Sequence, residues 1–346
     1  MHNNIFVVCA FNLCKFIYIL WEDNFMKEIR FCDIEDIRLG HCHNEIGGTG
    51  CSVVICEKGA TGGVDVRGGS PGTRETDLLN PSEMVDKVNA VMLSGGSAFG
   101  LDAASGVMEY LENKNIGFDV TVTKVPIVCQ AVLFDLPFGD YKIRPNKAMG
   151  FEACKNSETY KDDINGNIGA GFGATVGKFL GLDYAMKGGL GTYAVQVGDL
   201  KVGAIVAVNC LGDIIDPSNS AIIAGAYDRE KNNFLNTENL IINSIENPKN
   251  PFKGNTTIGI IVTNANFDKA QATKVASMAH NGYARTMRPA HTMFDGDTIF
   301  TMCTNKVKSD VTTVGMIAAQ VMEKAVLRGV KSAQGKFGIP SYIDIK

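Results

Sequence analysis

At 346 residues, with 45% hydrophobic content, the chain can build a sizeable buried core as one large domain or two ordinary ones. A formal net charge of −4, and no run of Lys or Arg interleaved with aromatics, exclude a surface built for phosphate backbones, so nucleic acid is not an expected partner. The 38 glycines point to tight turns and close backbone approaches rather than long solvated helices.

Ile5 to Trp21 is apolar, but Asn12 and Lys15 interrupt it and it falls short of the roughly 20 clean residues of a membrane span. It also lacks a preceding Lys or Arg and a following small-residue cleavage site, so it does not read as a signal peptide. Met26 opens the ordinary globular pattern, and residues 1–25 are read as an extension outside the fold or an upstream start. The ten cysteines are scattered from Cys9 to Cys303 without a CxxC pair, which suits a reduced, cytoplasmic protein. His41-Cys42-His43 would put two imidazoles on one face of a strand, yet no second ligand group with zinc-like spacing follows, and no metal is expected.

Ala90 to Leu93 predicts a strand, Ser94 to Gly100 a glycine turn, and the pattern through Leu111 a helix, as in a layered α/β fold. Ser97, in LSGGSAFG, falls short of the GxSxG nucleophile elbow because Phe99 stands where glycine is required; a tight turn packing helix on sheet is the plainer reading. GAGFGA (Gly169 to Ala174) has the form of a dinucleotide fingerprint, but the polar run Lys161 to Asn167 supplies no strand before it. Gly177-Lys178 resembles a phosphate loop, but Phe179 replaces the magnesium-holding hydroxyl.

Asn209 ends the apolar strand VGAIVAV (Val202 to Val208), where a side-chain amide can donate to an oxyanion or simply close a turn. Tyr227 to Asn255 is rich in Asn, carries Pro248 and Pro251, and reads as a long exposed loop. It runs into Asn255-Thr256-Thr257 and then a buried strand, Ile258 to Thr263. A cut at this junction would leave a new amino terminus at a sheet edge. Downstream, Asp268 to Arg285 predicts a helix, Thr298 to Cys303 a strand and Val311 to Val330 a closing helix; Asp295-Gly296 can be read as no more than a hairpin turn before that strand, a role that can coexist with a catalytic one.

Seven blocks in order resemble the self-processing L-aminopeptidase and D-esterase/amidase family, which includes β-aminopeptidases and nylon-oligomer hydrolases. They are GVDVRGGSPGTRETDLL (Gly63 to Leu79), LSGGSAFGLDAA (Leu93 to Ala104), GATVGK (Gly173 to Lys178), MKGGLG (Met186 to Gly191), VGAIVAVN (Val202 to Asn209), GNTTIGIIVTNA (Gly254 to Ala265) and RPAHTMFDGDT (Arg288 to Thr298). The resemblance implies a layered α-β-β-α sandwich with a catalytic Thr256 at the start of a core strand. It implies self-cleavage between Asn255 and Thr256, dividing the hydrolase domain into fragments 26–255 and 256–346. A threonine hydroxyl needs a base to take its proton. A freed terminal amine, with an ordinary pKa of about 7.7 to 8.0, supplies one.

By the same resemblance Asp295 and Asp297 orient the amine and hydroxyl, Asn209 donates to the oxyanion, and Lys178 is a cation near the nucleophile. Phe134 stands where the family carries a pocket tyrosine, and with Ser97 it is assigned to substrate binding. No cofactor is implied. The expected partners are a small peptide or amide substrate and further copies of the processed pair in a homo-oligomer. An acyltransferase similar to the ornithine acetyltransferases, or a processed assembly protein without activity, are the alternatives.

Overall fold

A computed structural model describes residues 26–160, 163–246 and 254–346. The expectations placed on residues 1–25 lie outside the described residues. The apolar strands form one large sheet: β1 (Lys27–Ile29), β2 (Arg38–Asn44), β3 (Thr49–Val66), β4 (Thr73–Arg74), β5 (Lys87–Ser94), β6 (Val128–Val132), β7 (Gly189–Val197), β8 (Leu200–Val208), β9 (Ile258–Ala265) and β10 (Thr298–Val307). Their order is β1-β7-β8-β9-β10-β3-β5-β6-β4, with β2 also paired to β3. Helices are α1 (Ala103–Asn113), α2 (Lys147–Asn156), α3 (Thr237–Asn243), α4 (Lys269–Thr286) and α5 (Val311–Lys331).

Strand β3 makes this sheet two layers. Its first half pairs with β2 and β5, its end from Thr61 to Val66 with β10, and the register with β5 shifts between Ile55 and Ala60. Gly59 sits in that shift with φ +76°, a backbone region where a side chain is strained. The bend lays the two halves of the sheet face to face. Leu39, Val54, Val91 and Leu93 from one half pack with Ile205, Ile258, Ile260 and Phe300 from the other.

The two-residue period of a strand then dictates the outer layers. On β9, Ile258, Ile260 and Val262 face the inter-sheet core, while Ile261 and Ala265 face α4 and α5. On β5, Val91 and Leu93 face inward, while Ala90 and Met92 meet α1 and α2. Each Val, Leu, Ile or Met among them contributes roughly 1.5–3 kcal/mol on full burial. The result is the α-β-β-α sandwich that the resemblance implies.

Helix α4 starts where its caps are: Asp268 accepts from Gln271 N–H at 2.8 Å, and Gln271 Oε1 accepts from Asp268 N–H at 3.1 Å. Of the segment read as a long exposed loop, Tyr227 to Asn255, residues 247–253 lie outside the described residues, and the part before them is structured. It holds a short hairpin, Tyr227–Asp228 with Asn233–Phe234, and then α3. Asp213 pins both, accepting from Ala226 N–H at 2.8 Å and from Thr237 N–H and Oγ1 at 2.6 Å each. That anchor lies too far away in sequence for local periodicity to reveal it.

His41 Nδ1 lies 2.8 Å from Ser52 Oγ, and His43 stacks on Phe172 at 4.7 Å. Burial pushes the His41 pKa down to about 3, keeping the imidazole neutral. Among the described residues, no helix is long and apolar enough to cross a membrane.

Candidate active site

Strand register brings the candidate residues together. Strands β9 and β10 are parallel neighbours with Ile258 opposite Thr298, so the residues just before them enter the sheet side by side. These are Thr256-Thr257 and Asp295-Gly296-Asp297. Strand β8 runs antiparallel to β9 with Ala207 opposite Ile258, so Asn209, just past its end, arrives at the same edge. The bonds follow: Thr256 N–H donates to the Asn209 carbonyl at 2.9 Å, and Gly296 N–H to the Asn255 carbonyl at 3.2 Å. Thr256 Oγ1 also donates to the Asn255 carbonyl oxygen.

Both acids are fully buried and held by directed donors. Asp297 Oδ1 accepts from Thr257 N–H at 2.8 Å; its Oδ2 accepts from His291 N–H at 3.0 Å and lies 2.9 Å from His291 Nδ1. Asp295 accepts from Thr292 N–H at 3.0 Å and Leu211 N–H at 3.3 Å, and from the Thr292 hydroxyl. Burial, reinforced by the neighbouring Asp297 charge, raises the Asp295 pKa to about 6.

Lys178 is carried to this point by main-chain bonds from Gly177 N–H to Gly212 O at 3.0 Å and from Lys178 N–H to Leu211 O at 3.1 Å. Its ammonium is completely buried and donates to Asn209 Oδ1 at 2.8 Å, Asn209 O at 3.0 Å and Gly254 O at 3.2 Å. Burial pushes its pKa down to about 7, against the opposing pull of Cys210, Asp295, Asp135 and Asp297. The Asn209 carboxamide is oriented from both ends. Its Oδ1 also accepts from Thr175 N–H at 2.9 Å, and its Nδ2 donates to Phe134 O at 3.0 Å, leaving a second N–H.

A cavity of about 390 Å³ opens beside Thr256. Its lining includes Ser97, Val132, Phe134, Met293 and Phe294, so the two residues assigned to substrate binding stand on its wall. Ser97 follows the left-handed Gly96 and has φ +53° itself, in a turn held by Gly96 N–H donating to the buried Asp135 at 2.6 Å. All eight site residues singled out from sequence thus lie at or around one buried junction. Thr175, His291, Thr292 and the Gly296 amide were not singled out. Two of these side chains, His291 and Thr292, lie inside the RPAHTMFDGDT block, which was the available signal.

The sequence profile described as peptidase family S58 matches residues 30–340. An uncharacterized aminopeptidase of Mycobacterium bovis is 38% identical over 343 residues, covering 90% of this chain and 96% of that one. A 6-aminohexanoate-oligomer endohydrolase of Paenarthrobacter ureafaciens is 30% identical over 326 residues, covering 88% of this chain and 87% of its own. In fold, the chain is similar to the L-aminopeptidase D-Ala-esterase/amidase of Ochrobactrum anthropi, itself described as a variant of the Ntn-hydrolase fold. That likeness has a TM-score of 0.66 at 16% identity and covers 91% of each chain. With nearly its whole described length matched by that profile and by relatives at 30% identity or more, the chain belongs to peptidase family S58 and is an amide hydrolase of the aminopeptidase/amidase kind.

Proposed function

We propose that the chain cleaves itself between Asn255 and Thr256, and that the freed Thr256 is the nucleophile for hydrolysis of small peptides, amino-acid amides or related oligoamides. The observation that carries this reading is the double engagement of the Asn255 carbonyl oxygen, by Thr256 Oγ1 and by Gly296 N–H at 3.2 Å. The hydroxyl lies against the carbonyl it would attack, and the amide polarises that carbonyl.

In the first reaction Thr256 Oγ adds to the Asn255 carbonyl carbon and its proton leaves to a base. Lys178 is the base proposed for it: its Nζ lies at the junction, its pKa is pushed down to about 7, and the neutral amine keeps its two bonds to Asn209 while giving up the longest, to Gly254 O at 3.2 Å. The C–N bond breaks, the Thr256 nitrogen takes a proton, and an ester joins Asn255 to Thr256 Oγ. Water hydrolyses the ester, leaving the Asn255 carboxylate and a free Thr256 amine. In turnover that amine activates the same hydroxyl, which takes the substrate's acyl group and then yields it to water.

Asp297 holds Thr257 and with it the geometry of Thr256, Asp295 sets the neighbouring turn, and the second Asn209 N–H is the donor for the tetrahedral oxyanion. Phe134 supplies no hydroxyl there, so that stabilisation falls to Asn209 and main-chain amides. The processed pairs assemble further into a cytoplasmic homo-oligomer.

Intact mass under denaturing conditions, with N-terminal sequencing, tests the reading. Two fragments are expected, the second being residues 256–346 with Thr256 first. Thr256→Ala should remain one folded, inactive chain, while Thr256→Ser should still cut. A wild-type chain that stays whole on long incubation yet hydrolyses amides would sink the mechanism.

A further inference from the structure

Behind Asp297 lies a group of side chains that the reaction above does not use. His291 grips the Asp297 carboxylate twice, by its main-chain N–H at 3.0 Å and its ring Nδ1 at 2.9 Å. Its ring packs against two rings of α4, with centroids 4.8 Å from His280 and 6.1 Å from Tyr283; His280 and Tyr283 are 5.3 Å apart. Each ring carries one buried polar atom that meets no partner among the described residues: His291 Nε2, His280 Nδ1 and Tyr283 OH. Leaving such atoms unmatched in a buried site forfeits the hydrogen bonds they would make to water in the unfolded chain.

The hydrogen-bond partners assign the roles of these atoms. His280 Nε2 lies 3.0 Å from the Asp65 carbonyl, which can only accept, so Nε2 carries the proton and Nδ1 is an acceptor. Burial pushes the His280 pKa down to about 4, which keeps that ring neutral. His291 Nδ1 faces a carboxylate and carries a proton, and in the Nδ1–H tautomer Nε2 is a second acceptor. Burial, with the Asp297 charge nearby, pushes the Tyr283 phenol well above its usual range, so its hydroxyl remains a donor. Tyr283 OH also lies under β9, close against Gly259.

Two acceptors and one donor are the complement of a single water molecule, which donates twice and accepts once. We propose that His291, His280 and Tyr283 bind one buried water molecule, and that His291, fixed by it, is a positioning residue that sets Asp297 against the Thr256-Thr257 backbone. Asp297 then receives three donors in fixed directions, two from His291 and one from Thr257, and the nucleophile's main chain is held from behind. The kinetic part of this inference rests on Thr256 being the nucleophile.

The self-cleavage rate is the test, because the chain is its own substrate; kcat and KM on alanine p-nitroanilide follow for the processed protein. His291→Phe keeps a ring but loses the Nδ1 donor, and should slow cutting and kcat at least about tenfold with little change in KM, as expected for a misplaced reacting group. His291→Asn places an amide N–H near the former Nδ1 and should restore cutting to within about threefold of wild type. Tyr283→Phe deletes one oxygen from a packed ring and should slow cutting several-fold while the melting temperature changes little. That third variant keeps the proposal open to refutation if His291→Phe does not fold. Wild-type cutting rates in Tyr283→Phe, or in a folded His291→Phe, would overturn the proposal, as would a His291→Asn no faster than His291→Phe. A wild-type chain that never cuts would instead overturn the nucleophile assignment, and this inference with it.

Discussion

Gly296 touches both sides of the Asn255–Thr256 bond: its N–H donates to the Asn255 carbonyl at 3.2 Å, and a Cβ at this position would lie 2.8 Å from Thr256 Oγ1. The same Cβ would meet Ser70 O at 2.7 Å, so a side chain here has no free direction. Gly296→Ala should cost about 1–3 kcal/mol of stability by overpacking. It should also slow self-cleavage more than that loss explains, by displacing the hydroxyl. A time course of fragment masses, paired with thermal melts, separates the two effects; cutting at the wild-type rate would show that Gly296 does not shape the junction.

Asp297 accepts three hydrogen bonds as a buried carboxylate. In Asp297→Asn the fold should persist, but the amide would present N–H to donors that need an acceptor. Processing and turnover should both fall by at least about a hundredfold, the scale of a lost positioned catalytic group. Unchanged rates with an unchanged melt would reduce the Asp-Gly-Asp segment to a turn.

Lys178 also predicts how stability depends on pH. Its folded pKa is about 7 against an ordinary 10.5, so between those values the unfolded chain binds a proton that the folded chain does not. Unfolding free energy should therefore rise with pH across that window, with no further contribution outside it. Lys187, also buried and also near 7, acts with the same sign. In an uncut Thr256→Ala background, adding Lys178→Met should remove about half of the lysine-driven rise. Denaturant unfolding at pH 7 and pH 9 would show it, and an unaltered slope would mean that Lys178 keeps an ordinary pKa.

Gly254 and Phe134 form a packed pair, since a Cβ on Gly254 would fall 2.3 Å from Cδ1 of the ring. Gly254→Ala should destabilise the uncut chain by about 1–3 kcal/mol and slow cutting, because the ring and the residue before Asn255 are forced apart. Phe134→Leu in the same chain should recover part of both losses. A double-mutant cycle without coupling would show that the contact does not govern the junction.

Much of this molecule was legible locally. The observed α4 and α5 fall within one residue of the ends predicted from Asp268 to Arg285 and from Val311 to Val330, because apolar spacing and the Asp caps are properties of neighbouring residues. The strands at Ala90, Ile258 and Thr298 were read at their cores and proved longer, since pairing with adjacent strands extends each beyond its apolar run. The candidate site residues other than Phe134, which stands where the family carries a tyrosine, came from motif blocks, and all eight lie at the junction or on the cavity wall.

The sequence by itself determined where the cores of β5, β8, β9 and β10 and the long helices α4 and α5 lie, because two- and 3.6-residue periods are written in adjacent side chains. Only the tertiary structure decided that Thr256, Asp297, Asn209 and Lys178 meet, that β3 bends to stack one half of the sheet on the other, and that Asp213 orders the segment containing α3. It alone placed His291 between Asp297 and the rings of α4. Such contacts join residues far apart in the chain, and their geometry is set by strand register and close packing, neither of which leaves a periodic signal.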